Sequence, residues 1–259
     1  EEEGPRFEPL APEMTGVHFT NEITESDSLN ILQVEFIYNG VGVAVGDLNG
    51  DGLDDLFFTG NQVDNALYLN RGGLRFEDVT AAASVQKGHP RQWSSGVNLL
   101  DINLDGRLDI YVCNTLRPEA EHRRNLLYIN KGNGDGGVPA FREMAAAYGL
   151  DDPSHSSHAQ FFDYDRDGDL DLFVGVNWIE REYPNQFVEL STDGTAPNRD
   201  RLFRNDWNET LGHPVFTDVS LAAGLVQDGY SHSTLIHDFN GDGWPDIYVA
   251  NDYWSNDLI

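Results

Sequence analysis

A nine-residue pattern, Asp-x-[Asp/Asn]-x-Asp-Gly-x-x-Asp, occurs four times in this chain, each time followed by an apolar, β-prone run. The segments are "GDLNGDGLDDLFFTGN" from 46, "LDINLDGRLDIYVCN" from 100, "FDYDRDGDLDLFVGVN" from 162 and "HDFNGDGWPDIYVAN" from 237. Their first aspartates, Asp47, Asp101, Asp163 and Asp238, stand 54, 62 and 75 residues apart. Like charge packed this tightly is costly unless a counter-charge enters the turn. Four copies therefore point to an array of equivalent units, each built around one acidic bend.

Other features travel with the bends. Downstream come "NALYLN" (65–70), "NLLYIN" (125–130) and "RLFRND" (201–206). Beyond them lie "FEDVTAAASV" (76–85), "FREMAAAYGL" (141–150) and "FTDVSLAAGL" (216–225), and a short apolar segment precedes each bend. Each unit thus holds four short strand candidates separated by Gly, Asn and Asp turn signals. Four strands in a repeated unit of this length predict an all-β fold, a β-propeller of four-stranded blades; a solenoid is the alternative.

The predicted organisation is an acidic flexible leader over 1–15, a ring-closing strand and lead-in over 16–38, and blades over 39–92, 93–152, 153–229 and 230–259. The fourth blade is incomplete. "GVHFTNEIT" (16–24) aligns Phe19 with Phe76, Phe141 and Phe216, so it reads as the strand that leaves the ring without an unpaired edge. The opening "EEEGPRFEPLAPE" is no signal peptide, and no run of about 18 apolar residues predicts membrane insertion.

Inside each bend the residue types suit a hard dication. Calcium takes six to eight oxygen ligands in a flexible shell. Positions 1, 3, 5 and 9 supply side chains: Asp47, Asn49, Asp51, Asp55; Asp101, Asn103, Asp105, Asp109; Asp163, Asp165, Asp167, Asp171; and Asp238, Asn240, Asp242, Asp246. Position 7 supplies a backbone carbonyl, from Leu53, Arg107, Asp169 and Trp244, and position 6 is always glycine. An EF-hand would need Glu at position 12, where this chain has Phe58, Val112, Val174 and Val249. The prediction is up to four Ca²⁺ ions in β-hairpin bends.

The net charge is −28, from 44 acidic and 16 basic residues, which argues against nucleic acid as a partner. Thirteen acidic residues are bend ligands, leaving 31 against 16 elsewhere. Only Lys87 and Lys131 are lysines. This acidic, lysine-poor surface suggests a salt-rich habitat, where counterions relieve self-repulsion. The expected outcome is a higher urea midpoint in molar salt than in dilute buffer; the opposite order rejects the idea. The lone cysteine, Cys113, sits in an apolar run and reads as a buried hydrophobe.

With these residues in place, the chain resembles the FG-GAP/VCBS repeat family of integrin-α-like β-propellers. "GVAVGDLNGDGLDDLFFTGN" followed by "NALYLNRGGLRFEDVT" is especially similar to its bacterial cartilage-acidic-protein and ASPIC/UnbV-related members. The resemblance covers about residues 16–259. It implies a seven-bladed ring, calcium between the first two strands of a blade, and an extracellular, cell-surface or periplasmic location.

Opposite the bends, the units differ most. Trp93, His155 and Tyr230 stand eight residues before their bends; His158 and His232 follow closely; Asn251, Trp178, Tyr253 and Trp254 follow second strands. Such aromatics, imidazoles and amides are the candidate ligand face for a protein or carbohydrate partner. The function expected is a calcium-binding, exported adhesion-type module, more a binder than an enzyme. The alternatives are a polysaccharide lyase or hydrolase on the same scaffold, or a structural segment of a larger surface protein.

Overall fold

The computed structural model describes residues 7–34, 36–178, 190–252 and 255–259. The first sheet comprises β1 (Val43–Gly46), β2 (Asp55–Phe58), β3 (Ala66–Asn70) and β4 (Phe76–Asp78). The second comprises β5 (Ser94–Leu100), β6 (Asp109–Asn114), β7 (Leu126–Asn133) and β8 (Pro139–Glu143). The third comprises β9 (Ser156–Phe162), β10 (Asp171–Val176), β11 (Arg201–Asn208) and β12 (His213–Asp218). A last hairpin pairs β13 (Ser231–His237) with β14 (Asp246–Asn251). Each sheet runs in simple sequence order with antiparallel pairing, as a propeller blade does. The architecture is all-β and propeller-like.

The cores lie between consecutive sheets, and period-two side-chain alternation assigns each residue to one of them. On β6, Ile110 and Val112 join Phe57, Leu67 and Leu69 of the first sheet. The intervening Tyr111 and Cys113 join Leu172, Val174 and Val176 of the third. Every residue of β6 and β10 is therefore buried. Cys113 is fully covered, and burial raises its thiol pKa. A smaller cluster of Phe162, Phe173, Leu202 and Val249 couples the third sheet to the last hairpin.

The innermost strands approach very closely. A Cβ on Gly42 would stand 2.6 Å from the Ser95 carbonyl oxygen, and one on Gly96 would stand 3.0 Å from His158 Cα. Hydroxyls bridge the same seams: Thr59 Oγ1 donates to the Ser95 carbonyl (2.7 Å), Ser95 Oγ to Ser156 (2.8 Å) and Ser157 Oγ to Ser231 (3.0 Å).

Residues 16–25 form no strand, and the leader contains a helical turn, α1 (Pro12–Thr15), capped by left-handed Gly16 (φ 81°). Gly16 packs against the Phe76 carbonyl, as Gly149, capping the later turn Ala145–Tyr148, packs against that of Phe216. The true counterpart of "MTGV" is thus the turn that follows a fourth strand. Phe19 instead stacks on Phe58, with ring centroids 4.9 Å apart. Among the described residues no helix is long and apolar enough to cross a membrane.

Candidate functional site

Each acidic bend joins the first strand of a sheet to the second, so all four lie at one end of the hairpins. Aspartate at position 1 organises the turn through its two oxygens. In the first bend, Asp47 Oδ1 accepts the N–H of Gly50 (2.7 Å) and Asp51 (3.1 Å), while Oδ2 accepts that of Gly52 (2.8 Å). Asp238 repeats this set with Gly241, Asp242 and Gly243. Those N–H groups hold the exposed Asp238 carboxyl below its ordinary pKa. Position 6 has the positive φ that glycine permits: 87° at Gly52, 86° at Gly106, 100° at Gly168 and 88° at Gly243.

Position 9 is locked from both sides. Asp109 Oδ2 accepts the Ile102 N–H (3.2 Å) and Oδ1 accepts the Asn130 N–H (2.7 Å). Asp55 does the same with Leu48 and Asn70, and Asp171 with Tyr164 and Asn205. Burial pushes Asp109 up to about 7 and Asp171 up to about 6, and raises Asp55, against the lowering pull of those N–H groups.

Asn70, Asn130 and Asn205 are site residues that the sequence reading quoted without giving them a role. Besides the backbone bond, each Nδ2 donates to the position-8 carbonyl, of Asp54, Leu108 and Leu170 respectively. The signal was their recurrence at the fifth residue of every third strand.

In the third bend, ligand oxygens of Asp163, Asp165 and Asp171 lie within 4.8 Å of one another. That spacing is what oxygens about 2.3–2.6 Å from a shared Ca²⁺ would span. Oδ1 of Asp165 and of Asp169 are buried with no hydrogen-bond partner among the described residues. Burial and the neighbouring Asp167 push Asp169 up to about 7. Orphaned, mutually repelling oxygens of this kind fit a bound cation, and the cluster could hold a metal ion.

At the other end of the hairpins, a cavity of about 530 Å³ opens over the entries to the first strands. Trp93, His155, Trp178 and His232 line it together, with Asn177 beside them. Trp93 forms a buried floor packed on Val34 and Ile37, and Arg117 lies 5.2 Å from its ring centre. His155 tilts against Trp178 at 5.7 Å, and its Nδ1 accepts the Leu116 N–H (3.2 Å). His232 meets the edge of Phe36 and pairs with Asp252 (3.3 Å).

His158 lies deeper, sandwiched over Gly175, with Nε2 2.5 Å from Thr234 Oγ1 and Nδ1 2.9 Å from Ser157 Oγ. Burial, then the charge of His232, push it down to about 4. Tyr230 and Asn251 bond to each other across the open end of the β13–β14 hairpin, Tyr230 N–H to Asn251 Oδ1 (3.1 Å), and neither is among the described residues lining the cavity. Tyr253 and Trp254 lie outside the described residues.

These features define a chain of antiparallel four-stranded sheets, stacked face to face, with acidic bends at one end and a cavity at the other. An FG-GAP-like repeat model matches residues 47–112. Cartilage acidic protein 1 of Homo sapiens is 29% identical over 212 residues, covering 82% of this chain and 28% of that protein. The Mus musculus protein of that name is also 29% identical over 212 residues, 82% of this chain and 29% of its own. The chain thus spans less than a third of the length of the curated relatives it matches. It is related to the FG-GAP-repeat family. A solved structure describing recognition of non-reducing terminal N-acetylglucosamine by an Agrocybe aegerita lectin overlaps at a TM-score of 0.31. It is 16% identical and covers 80% of this chain and 60% of that one, too loose an overlap to speak for a shared fold.

Proposed function

We propose that this chain is a calcium-supported, extracellular adhesion-type module that holds a protein or glycan partner over the cavity opposite its acidic bends. The observation that carries the calcium reading is the third bend, where carboxylate oxygens of Asp163, Asp165 and Asp171 converge and Oδ1 of Asp165 is buried with no hydrogen-bond partner among the described residues. The residues that would hold the ions are the side chains at positions 1, 3, 5 and 9 of each bend and the position-7 carbonyls. The ion supplies the charge that lets these oxygens share one space. It is structural: it pins the turn between the first two strands. The ring of this reading has seven blades, of which three complete sheets and one hairpin belong to this chain. An extracellular setting agrees with the relatives named for cartilage.

The test is urea unfolding in EDTA, in Ca²⁺ and in Mg²⁺. Extracellular calcium modules bind with Kd on the order of 10⁻⁴–10⁻³ M. A tenfold excess over Kd should add about 1.4 kcal/mol per site, and a hundredfold excess about 2.7 kcal/mol. Magnesium, which demands a tighter octahedral shell, should add less. Equal midpoints in EDTA and in Ca²⁺ would reject the reading.

A further inference from the structure

We infer that the side chain at position 7 ranks the bends in their affinity for Ca²⁺: the Asp169 carboxylate makes the third bend the tightest site, and the Arg107 guanidinium makes the second the weakest. This rests on the calcium reading of the bends and goes further by ordering the four sites within it. Position 7 offers its carbonyl in every bend, so its side chain varies: Leu53, Arg107, Asp169 and Trp244. Two of the four bring a charge to the ligand set, and the two charges are opposite. Oxygen cages tune their hold on Ca²⁺ by the number of ligand charges and by rigidity.

In the third bend, aspartate occupies positions 1, 3, 5, 7 and 9. The Asp169 side chain is half-buried, and its Oδ1 is buried with no hydrogen-bond partner among the described residues. Oδ1 of Asp165 is in the same condition. Burial and the charges of Asp167, Asp171 and Asp165 all raise the pKa of Asp169, which places its carboxylate beside those ligands. Asp163, Asp165 and Asp171 already bring oxygens within 4.8 Å of one another, so the cage is drawn together. The neighbouring arginines have partners of their own. Arg166 lies 5.2 Å over the Trp244 ring, and Arg204 pairs with Asp206 (2.9 Å). A dication in the cage supplies the charge that these unpaired oxygens need, and a fifth carboxylate holds it tighter.

The second bend is the reverse. Arg107 Nη2 pairs with Oδ2 of Asp105, the position-5 ligand, at 2.5 Å, and its Nε donates to the Asn130 carbonyl (3.3 Å). An ion that uses this oxygen must displace the guanidinium or share the oxygen with it, and the two positive charges repel each other. The first and fourth bends, with Leu53 and Trp244 at position 7, lie between these extremes. The first carries a further aspartate, Asp54, but at position 8 and exposed.

The experiment is a Ca²⁺ titration of the whole ¹⁵N-labelled chain, started from EDTA at pH 8, where Asp169, pushed up to about 7, is ionised. Each bend has its own reporter, the N–H of its position-6 glycine, which donates to the position-1 carboxylate. The distances are 2.8 Å for Gly52, 2.7 Å for Gly106, 3.1 Å for Gly168 and 2.9 Å for Gly243. The Gly168 resonance should reach its midpoint at about tenfold less free Ca²⁺ than those of Gly52 and Gly243, and Gly106 at about fivefold more. Asp169→Asn keeps the side-chain size and the backbone carbonyl but removes the charge, and should bring Gly168 to the level of Gly52. Arg107→Leu installs the residue type of the first bend and should bring Gly106 to that level too. Urea midpoints in EDTA confirm that both variants are folded.

Gly168 titrating with or after Gly52, or staying unmoved in Asp169→Asn, would overturn the assignment of the third bend. Gly106 unmoved in Arg107→Leu would overturn that of the second. If no glycine responds to Ca²⁺, the calcium reading itself falls. If all four respond at one concentration, that reading stands and only the ranking falls.

Discussion

Replacing Asp109 with alanine should lower the folding free energy by about 2–6 kcal/mol even in EDTA. The side chain is fully buried, and its oxygens satisfy two backbone N–H groups, on Ile102 and Asn130, that are themselves buried. Each N–H left unsatisfied costs about 1–3 kcal/mol. The partners come from opposite directions, one in the bend and one in the middle of β7, so no local shift repairs both. At about pH 5, below the raised folded pKa of Asp109, Asp109→Asn keeps one acceptor oxygen and should lose roughly half as much; near neutral pH, removal of the buried charge offsets part of that loss. Asp101→Ala makes the contrast: Asp101 is half-buried at the rim of the same bend, where its oxygens accept N–H groups from exposed Asp105 and Gly106. It should cost less than about 1 kcal/mol in EDTA, because freed exposed donors turn to water, but should remove that bend's gain from Ca²⁺. Urea midpoints of the three variants, with and without Ca²⁺, check the pattern. Equal losses from Asp101→Ala and Asp109→Ala in EDTA would show that position 9 is no anchor.

The same contrast explains what the sequence made legible. The bends could be read because the side chains offered as ligands lie within nine residues, at fixed spacing, and the spacing repeats. The sheets could be read because each unit carries four apolar segments in the order in which they pair. The asparagine clamp on the third strand was hidden by distance. Asn70, Asn130 and Asn205 follow their aspartates by 15, 21 and 34 residues, because the links between second and third strands differ in length.

Position 4 of the bends was hidden by residue type. Gly50 and Gly241 signal its left-handed backbone, but Leu104 (φ 57°) and Arg166 (φ 63°) adopt it without a sequence cue. Arg166 recovers part of that strain by lying 5.2 Å over the Trp244 ring of the next bend, a contact between units that no local reading provides. At the N-terminus, Phe19 resembles the fourth-strand phenylalanines in sequence and stacks on Phe58. Gly16 was the informative residue, since only its backbone fits against the Phe76 carbonyl.

Asp200→Asn should stabilise the chain near neutral pH and leave it unchanged in acid. Asp200 occupies the place held by Asn65 and Asn125 in the preceding sheets, just before the third strand. There its Oδ1 accepts the Val176 N–H (2.8 Å) and the Ser231 hydroxyl (2.6 Å), tying the third sheet to the last hairpin. Burial pushes the carboxyl up to about 6, against the smaller lowering effect of those bonds and of Arg201 and Arg199. Its folded pKa therefore lies above the unfolded value near 3.8. The native state binds this proton more tightly than the unfolded chain does. Stability from the group is fully present below about pH 4 and is lost as pH rises through about 6. The loss amounts to about 3 kcal/mol, at 1.36 kcal/mol per pKa unit. Asparagine keeps the acceptor oxygen and removes the charge. Its amide can donate to Ser231 as Asn125 donates to Ser156 (2.9 Å). Urea midpoints of the two proteins between pH 4 and 8 should coincide at the acid end and separate through pH 5–6, with the variant above. A variant less stable than the parent at pH 7 would mean that the carboxylate is retained for its charge, against the burial argument.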